Sequence, residues 1–189
     1  MVVQTGSRTW ILTEADGVSQ CSGEVFVRYF GYRRDPQHLS FRKIPRAICS
    51  FFQVAGEAEV SIGSATFKLV KGNLVFAWPE EVMDYHGYGA EGVGYYFFNL
   101  KGARVDSVLE RCCIFRHQRY RACPALLQPL LAAHHTVSCG RYSGFYPVSL
   151  AWQILDILSA TDAGLEWEAD SRFSIFEGCR EVMESEFMN

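Results

Sequence analysis

Apolar and polar residues alternate in twos through the first half of the chain and change to helical spacing in the second. Glu24-Val25-Phe26-Val27-Arg28-Tyr29-Phe30 is rich in β-branched and aromatic residues and predicts a strand. Gly31-Tyr32-Arg33-Arg34-Asp35-Pro36 predicts the turn after it. Ala58, Val60 and Ile62 alternate with Glu57, Glu59 and Ser61, so this strand buries one face and wets the other. Gly63-Ser64 turns the chain, Phe67 and Leu69 continue the buried face opposite, and Lys68 points out. Lys71-Gly72-Asn73 is a second tight turn before Leu74-Val75-Phe76-Ala77. Tyr95-Tyr96-Phe97-Phe98 is apolar on both faces, as in a strand buried on both sides. Many short strands with regular turns predict a barrel or sandwich.

Beyond Gly102 the period is helical. Leu126, Leu127, Leu130 and Leu131 follow Pro124, and Ala151, Ile154, Leu155 and Leu158 follow Pro147 on one face. The predicted helices run near Ala125–Ser138 and Pro147–Ala160, and Thr161-Asp162-Ala163-Gly164 ends the second. Asp170-Ser171 caps a predicted third helix with Phe176, Cys179, Met183 and Phe187 on its apolar side. The segment from Gly164 to Asp170 is the expected linker, and the chain stops at Asn189, at the end of an amphipathic helix, as a fragment of a longer protein would.

Composition narrows the class. At 189 residues, 49% hydrophobic and 14% aromatic, the chain can bury a full core. No apolar run approaches the roughly 18 residues of a membrane span. Met1-Val2-Val3-Gln4-Thr5-Gly6 has no basic segment followed by an apolar one, so no secretory leader is expected and a cytoplasmic location is. A net charge of −3 argues against binding nucleic acid by bulk electrostatics. The seven cysteines have neither CxxC nor zinc-finger spacing and are expected as reduced, apolar packing residues, the adjacent Cys112-Cys113 included.

Four short motifs occur in order. They are Phe51-Phe52-Gln53-Val54-Ala55-Gly56, Leu69-Val70-Lys71-Gly72-Asn73, the bend Trp78-Pro79, and an aromatic strand ending Asn99-Leu100-Lys101-Gly102. With two helices after them, they give the chain a resemblance to the N-terminal effector-binding and dimerisation domain of AraC-family transcription regulators. The chain departs from that pattern at Trp78, which replaces the first proline of the bend, at Met83, where many members carry histidine, and at Asn99-Leu100, which replaces a His-Phe pair. The resemblance implies a cupin-like, jelly-roll β-barrel over residues 1–104, a helical dimerisation region over 105–168, and over 169–189 the start of a DNA-binding domain. DNA would be bound through helix-turn-helix units beyond this chain.

The same resemblance implies a site. Arg42 enters the third strand where the family reads polar groups of its ligand, and Tyr85 follows the bend where the family has a ligand-facing tyrosine. Tyr95, Phe97 and Asn99 share one strand face by alternation. An aromatic floor with a guanidinium suits a small polar effector, a sugar or an aromatic acid. The helices imply a homodimer joined through Leu127, Leu130, Leu131, Ile154 and Leu158. The places where the wider cupin fold holds a metal fall near Arg42, Ile44, Cys49 and Met83, which offer no imidazole–carboxylate set, so neither metal nor cofactor is expected. The expectation is a sensor rather than an enzyme. The alternative is a cupin-fold metal-dependent isomerase or oxygenase, for which Asp84 and His86 are the nearest carboxylate and imidazole. Arg111, Arg116, His117, Arg119 and Arg121 form the one basic cluster, read as a solvated loop face. His134 and His135, about 100° apart on a helix, cannot share an ion.

Overall fold

The computed structural model describes residues 6–12, 24–121, 124–140 and 142–160. Its strands are β1 (Gly6–Ile11), β2 (Phe26–Asp35), β3 (His38–Lys43), β4 (Ile48–Ala55), β5 (Glu57–Ile62), β6 (Ala65–Leu69), β7 (Asn73–Ala77), β8 (Met83–Tyr88) and β9 (Val93–Lys101). Helix α1 (Val105–Arg111), strand β10 (Arg119–Arg121) and helices α2 (Pro124–Ser138) and α3 (Tyr146–Ala160) complete it. The expected third helix, the 164–170 linker and the 169–189 segment lie outside the described residues.

One sheet has the order β1-β2-β9-β4-β7-β10 and the other β3-β8-β5-β6. Every pairing is antiparallel. From β2 to β9 the chain changes sheet at each step except the β5–β6 hairpin, which gives a cupin-like jelly roll. Gly63-Ser64 closes that hairpin with Ile62 opposite Ala65, and Gly63 takes the left-handed conformation (φ 57°) such a tight turn demands. Asn73 starts β7 rather than ending a turn, and its side-chain oxygen accepts the Val70 N–H at 3.0 Å.

The turn expected at Gly31–Pro36 lies further on. β2 continues through Asp35 because β1 and β9 flank it on both sides and offer partners to its backbone. The chain reverses at Pro36-Gln37, where the Asp35 carboxylate accepts the N–H groups of Gln37 (2.9 Å) and His38 (3.0 Å). Strand β1 was not read from the sequence, and neither were two later elements. Helix α1 buries Val108 and Leu109, and β10 pairs with β7 and forms that edge of the sheet, with Tyr120 buried.

The large sheet is apolar on both faces. Its inner face meets the small sheet in a core of Phe51, Val60, Ile62, Leu69, Met83, Tyr85 and Tyr95. Its outer face carries Phe30, Phe52, Phe76 and Phe98, and the helices cover it, α3 against β2 and α2 against α3. This corrects the expected dimer surface. Leu130, Ile154 and Leu158 are buried in the chain's own core, where each leucine-sized side chain contributes about 1.5–3 kcal/mol, and they present nothing to a second copy. Leu127 is half-buried against the same core, while Leu131 of α2 and Trp152 of α3 are 40% and 42% exposed. Among the described residues no helix is long and apolar enough to cross a membrane.

Gly102 joins β9 to α1. It has φ 147°, and a Cβ there would land on the Glu24 carbonyl oxygen, which already accepts the Arg104 N–H at 3.2 Å. Gly102→Ala is expected to lower stability by about 2–4 kcal/mol, read from the denaturant midpoint. A change below 0.5 kcal/mol on the scale of an ordinary surface substitution, about that figure, would contradict this packing.

A candidate binding site between the two sheets

Pairing register stacks the inner side chains in layers. In the small sheet Phe41, Tyr85, Val60 and Phe67 are opposite one another, and Lys43, Met83 and Ile62 form the next row. In the large sheet Gln53 is opposite Tyr95, Phe51 opposite Phe97, and Cys49 opposite Asn99. Opposed residues of antiparallel strands share a face, so these rows look at one another across the sandwich.

The middle of the sandwich is a cluster of rings. Tyr85 stacks on Phe41 (centroids 5.2 Å, interplanar 9°) and tilts against Tyr95 (4.9 Å), and Tyr95 meets Phe51 edge-on (5.3 Å) and Phe97 at 6.2 Å. The Tyr85 hydroxyl donates to the buried Gln53 Oε1 at 2.8 Å, while Gln53 Nε2 donates to the Ala55 carbonyl at 2.8 Å. Burial holds both tyrosine hydroxyls well above their ordinary pKa, against the opposing pull of the Gln53 hydrogen bond on Tyr85 and of Arg33 on Tyr95.

Polar groups gather at one end. Lys43 Nζ lies 3.3 Å from Cys49 Sγ and 4.7 Å from the Phe51 ring centroid. The Cys49 thiol is fully buried; burial raises its pKa against the lowering pull of Lys43, which keeps it protonated at neutral pH. Asn99 Oδ1, on the face it shares with Cys49, is buried with no hydrogen-bond partner among the described residues. The Arg33 guanidinium lies 5.5 Å from the Phe41 centroid and hydrogen-bonds Tyr95. Among the described residues no carboxylate pairs with Lys43 or Arg33.

The structure therefore brings Tyr85, Tyr95, Phe97 and Asn99 together and leaves Arg42 out. Arg42 points away from the sandwich, its side chain 71% exposed and 3.8 Å from Asp84. The reason is pleat: Leu39, Phe41 and Lys43 occupy the inner face of β3, so the neighbouring cation is the one turned inward. That alternation was the available signal for Lys43. Asp84 and His86 do share a strand face, but it is the outer one, where His86 Nδ1 meets Ser40 Oγ at 3.2 Å. Ile44 is exposed and Met83 is buried among apolar groups. Among the described residues no group of three or more His, Cys, Asp or Glu is placed to hold a metal ion.

The basic cluster disperses. Arg111 reaches Glu24 at 4.0 Å, Arg116 and His117 meet Glu81 at 3.7 and 2.8 Å, and Arg119 donates to the Lys68 carbonyl at 2.8 Å. His134 and His135 diverge, the first 3.0 Å from the Tyr96 hydroxyl and the second 3.9 Å from Cys139 Sγ.

No protein-family model matches the chain, and no curated protein matches it. Solved structures share part of its shape. A cupin superfamily protein from Desulfitobacterium hafniense is 11% identical over 53% of this chain and 83% of its own, with TM-score 0.37. The cupin domain of Schizosaccharomyces pombe Cnp3 is 17% identical over 59% and 71%, with TM-score 0.41. An oxalate decarboxylase variant from Bacillus subtilis is 13% identical over 51% and 26%, with TM-score 0.38. These likenesses are loose, and the jelly roll rests on the strand pairings given above.

Alkaline pH should open both apolar cores. Burial pushes Tyr96 and Tyr120 up to about 12, and Tyr85 and Tyr95 higher still. Unfolded tyrosine ionises near 10, so the folded state binds these protons more tightly; the stability they confer is complete below about pH 10 and is lost as pH rises through about 12. The final part of the rise in tyrosinate absorbance and the loss of β-sheet circular dichroism should come together in one cooperative step across that window. Full tyrosine ionisation with the sheets intact would contradict the burial described.

Proposed function

We propose that the sandwich holds a small organic anion at its Lys43–Cys49–Asn99 end and senses it without transforming it. The carrying observation is the buried, unpartnered Asn99 Oδ1. Leaving such an acceptor unsatisfied costs about 1–3 kcal/mol, so a guest with an O–H or N–H to donate gains what the empty state forgoes. Lys43, with no carboxylate partner among the described residues, supplies a charge for an acid group. The rings of Phe51, Tyr95 and Phe97 supply apolar walls. A hydroxy acid, sugar acids included, carries both required groups. Binding is favoured over catalysis because Asp84 and His86, the acid–base pair nearest the sandwich in sequence, project from its outer face.

In this reading the chain is the sensor half of an AraC-type transcription regulator, on the strength of its motif order and its helices. Strands β4 and β9 turn Cys49 and Asn99 toward the guest and Phe52 and Phe98 toward the helical side. A guest that shifts either strand thereby shifts the bed on which α2 and α3 rest. A homodimer would use the outer helix surface around Leu131 and Trp152, and DNA would be read by domains beyond Asn189.

Calorimetric titration of the full chain with a panel of hydroxy acids and sugar acids tests this. At least one should bind, unchanged after recovery, and Lys43→Met should weaken it by about tenfold or more. Turnover of the bound acid, or no binding across the panel, would sink the proposal.

A further inference from the structure

Along the flank where β2 and β9 face β3, inner side chains come to the surface. Arg33, Phe41, Lys43, Phe97 and Asn99 are each half-buried, while Cys49 and Tyr85, on the next strands inward, are fully buried. Alternation on β2 turns Arg33 inward, opposite Tyr95, to which it hydrogen-bonds. The inward position before it is Gly31, opposite Phe97, so β2 puts no side chain between the Arg33 row and the Asn99 row.

Two cations meet at this mouth. The Arg33 guanidinium lies 5.5 Å and Lys43 Nζ 5.8 Å from the centroid of the same Phe41 ring, so the two charges are no more than about 11 Å apart. Among the described residues neither is paired with a carboxylate. Tyr95 occupies one of the five guanidinium donors, which leaves a fork suited to a carboxylate. Two partly desolvated cations without counter-charges call for two negative groups on whatever lies between them. We propose that the guest is a hydroxy-dicarboxylate, with one carboxylate on Lys43, the second on Arg33 and its hydroxyl donating to Asn99 Oδ1. The inference rests on the hydroxy-acid reading above and adds to it Arg33 as the residue that selects for a second acid group. A diacid as short as malate can span the gap, with hydrogen bonds of about 2.8 Å at each end.

The test is calorimetric titration of the full chain with malate and with 3-hydroxybutyrate, in which a methyl group replaces the second carboxylate. Malate should bind about tenfold more tightly or better. Arg33→Gln should erase that preference and leave the affinity for 3-hydroxybutyrate unchanged, whereas Lys43→Met should weaken both acids. Arg33→Lys, which keeps the charge, should retain much of the preference, and the melting temperature of each variant shows that it is folded. Equal binding of the two acids by the parent, or a loss on Arg33→Gln shared equally by both, would overturn the role of Arg33 and leave the hydroxy-acid reading in place. Binding of neither acid would also overturn this inference, and the wider panel of hydroxy acids then decides the reading on which it rests.

Discussion

An outer sheet face built from Phe30, Phe52, Phe76 and Phe98 cannot be left in water, and most of the architecture follows from covering it. The jelly roll needs its inner face alone to close on the small sheet. The second apolar face makes α2 and α3 part of the domain rather than an appendage, since their leucines and isoleucines complete that outer core. Tyr96 extends the same union, with its ring against His134 of α2 and its hydroxyl 3.0 Å from that imidazole. A barrel whose wall is also a helix platform links events on one side to the geometry of the other by packing alone.

The inner face is graded along the strands. Around Tyr85, Tyr95 and Phe41 it is ring against ring, with the buried amide of Gln53 satisfied on both its oxygen and its nitrogen. Toward Lys43 and Asn99 the satisfaction fails: the ammonium has a thiol for company and the amide oxygen has no partner among the described residues. Buried polar groups elsewhere in the sandwich find partners, as Ser50 does in donating to the Phe98 carbonyl at 3.0 Å. The contrast sets that end apart from the rest of the inner face.

Sequence patterning revealed the elements better than their surroundings. The β5–β6 hairpin and the two long helices were legible because alternation and helical spacing report which face is dry. The extension of β2 through Gly31–Asp35 was not, because the local turn chemistry of Gly31 and Pro36 is overruled by two neighbouring strands that no local signal reveals. Helix α1 and β10 are too short to carry a readable period. For the site, Tyr95, Phe97 and Asn99 followed from alternation along their strand, whereas Tyr85 and Arg42 rested on motif position, and Arg42 fell on the wrong side of the pleat. Leu130, Ile154 and Leu158 show the same limit from another side. An apolar stripe announces that something covers it; the stripe does not say whether the cover is a sister chain or the chain's own sheet.

One property of the pleat reaches past the present molecule. On β3, β4 and β9 odd-numbered residues face the interior of the sandwich, from Phe41 and Lys43 through Cys49, Phe51 and Gln53 to Tyr95, Phe97 and Asn99. On β4 and β9 the even-numbered Phe52, Tyr96, Phe98 and Leu100 carry the helices. Numerical parity thus splits these strands into two registers that can drift independently: point changes at odd positions alter the interior of the sandwich, and even positions stay free to preserve the platform. A one-residue insertion within either strand would exchange the registers wholesale, so descendants of this sequence should diversify here by substitution and confine their insertions to the turns.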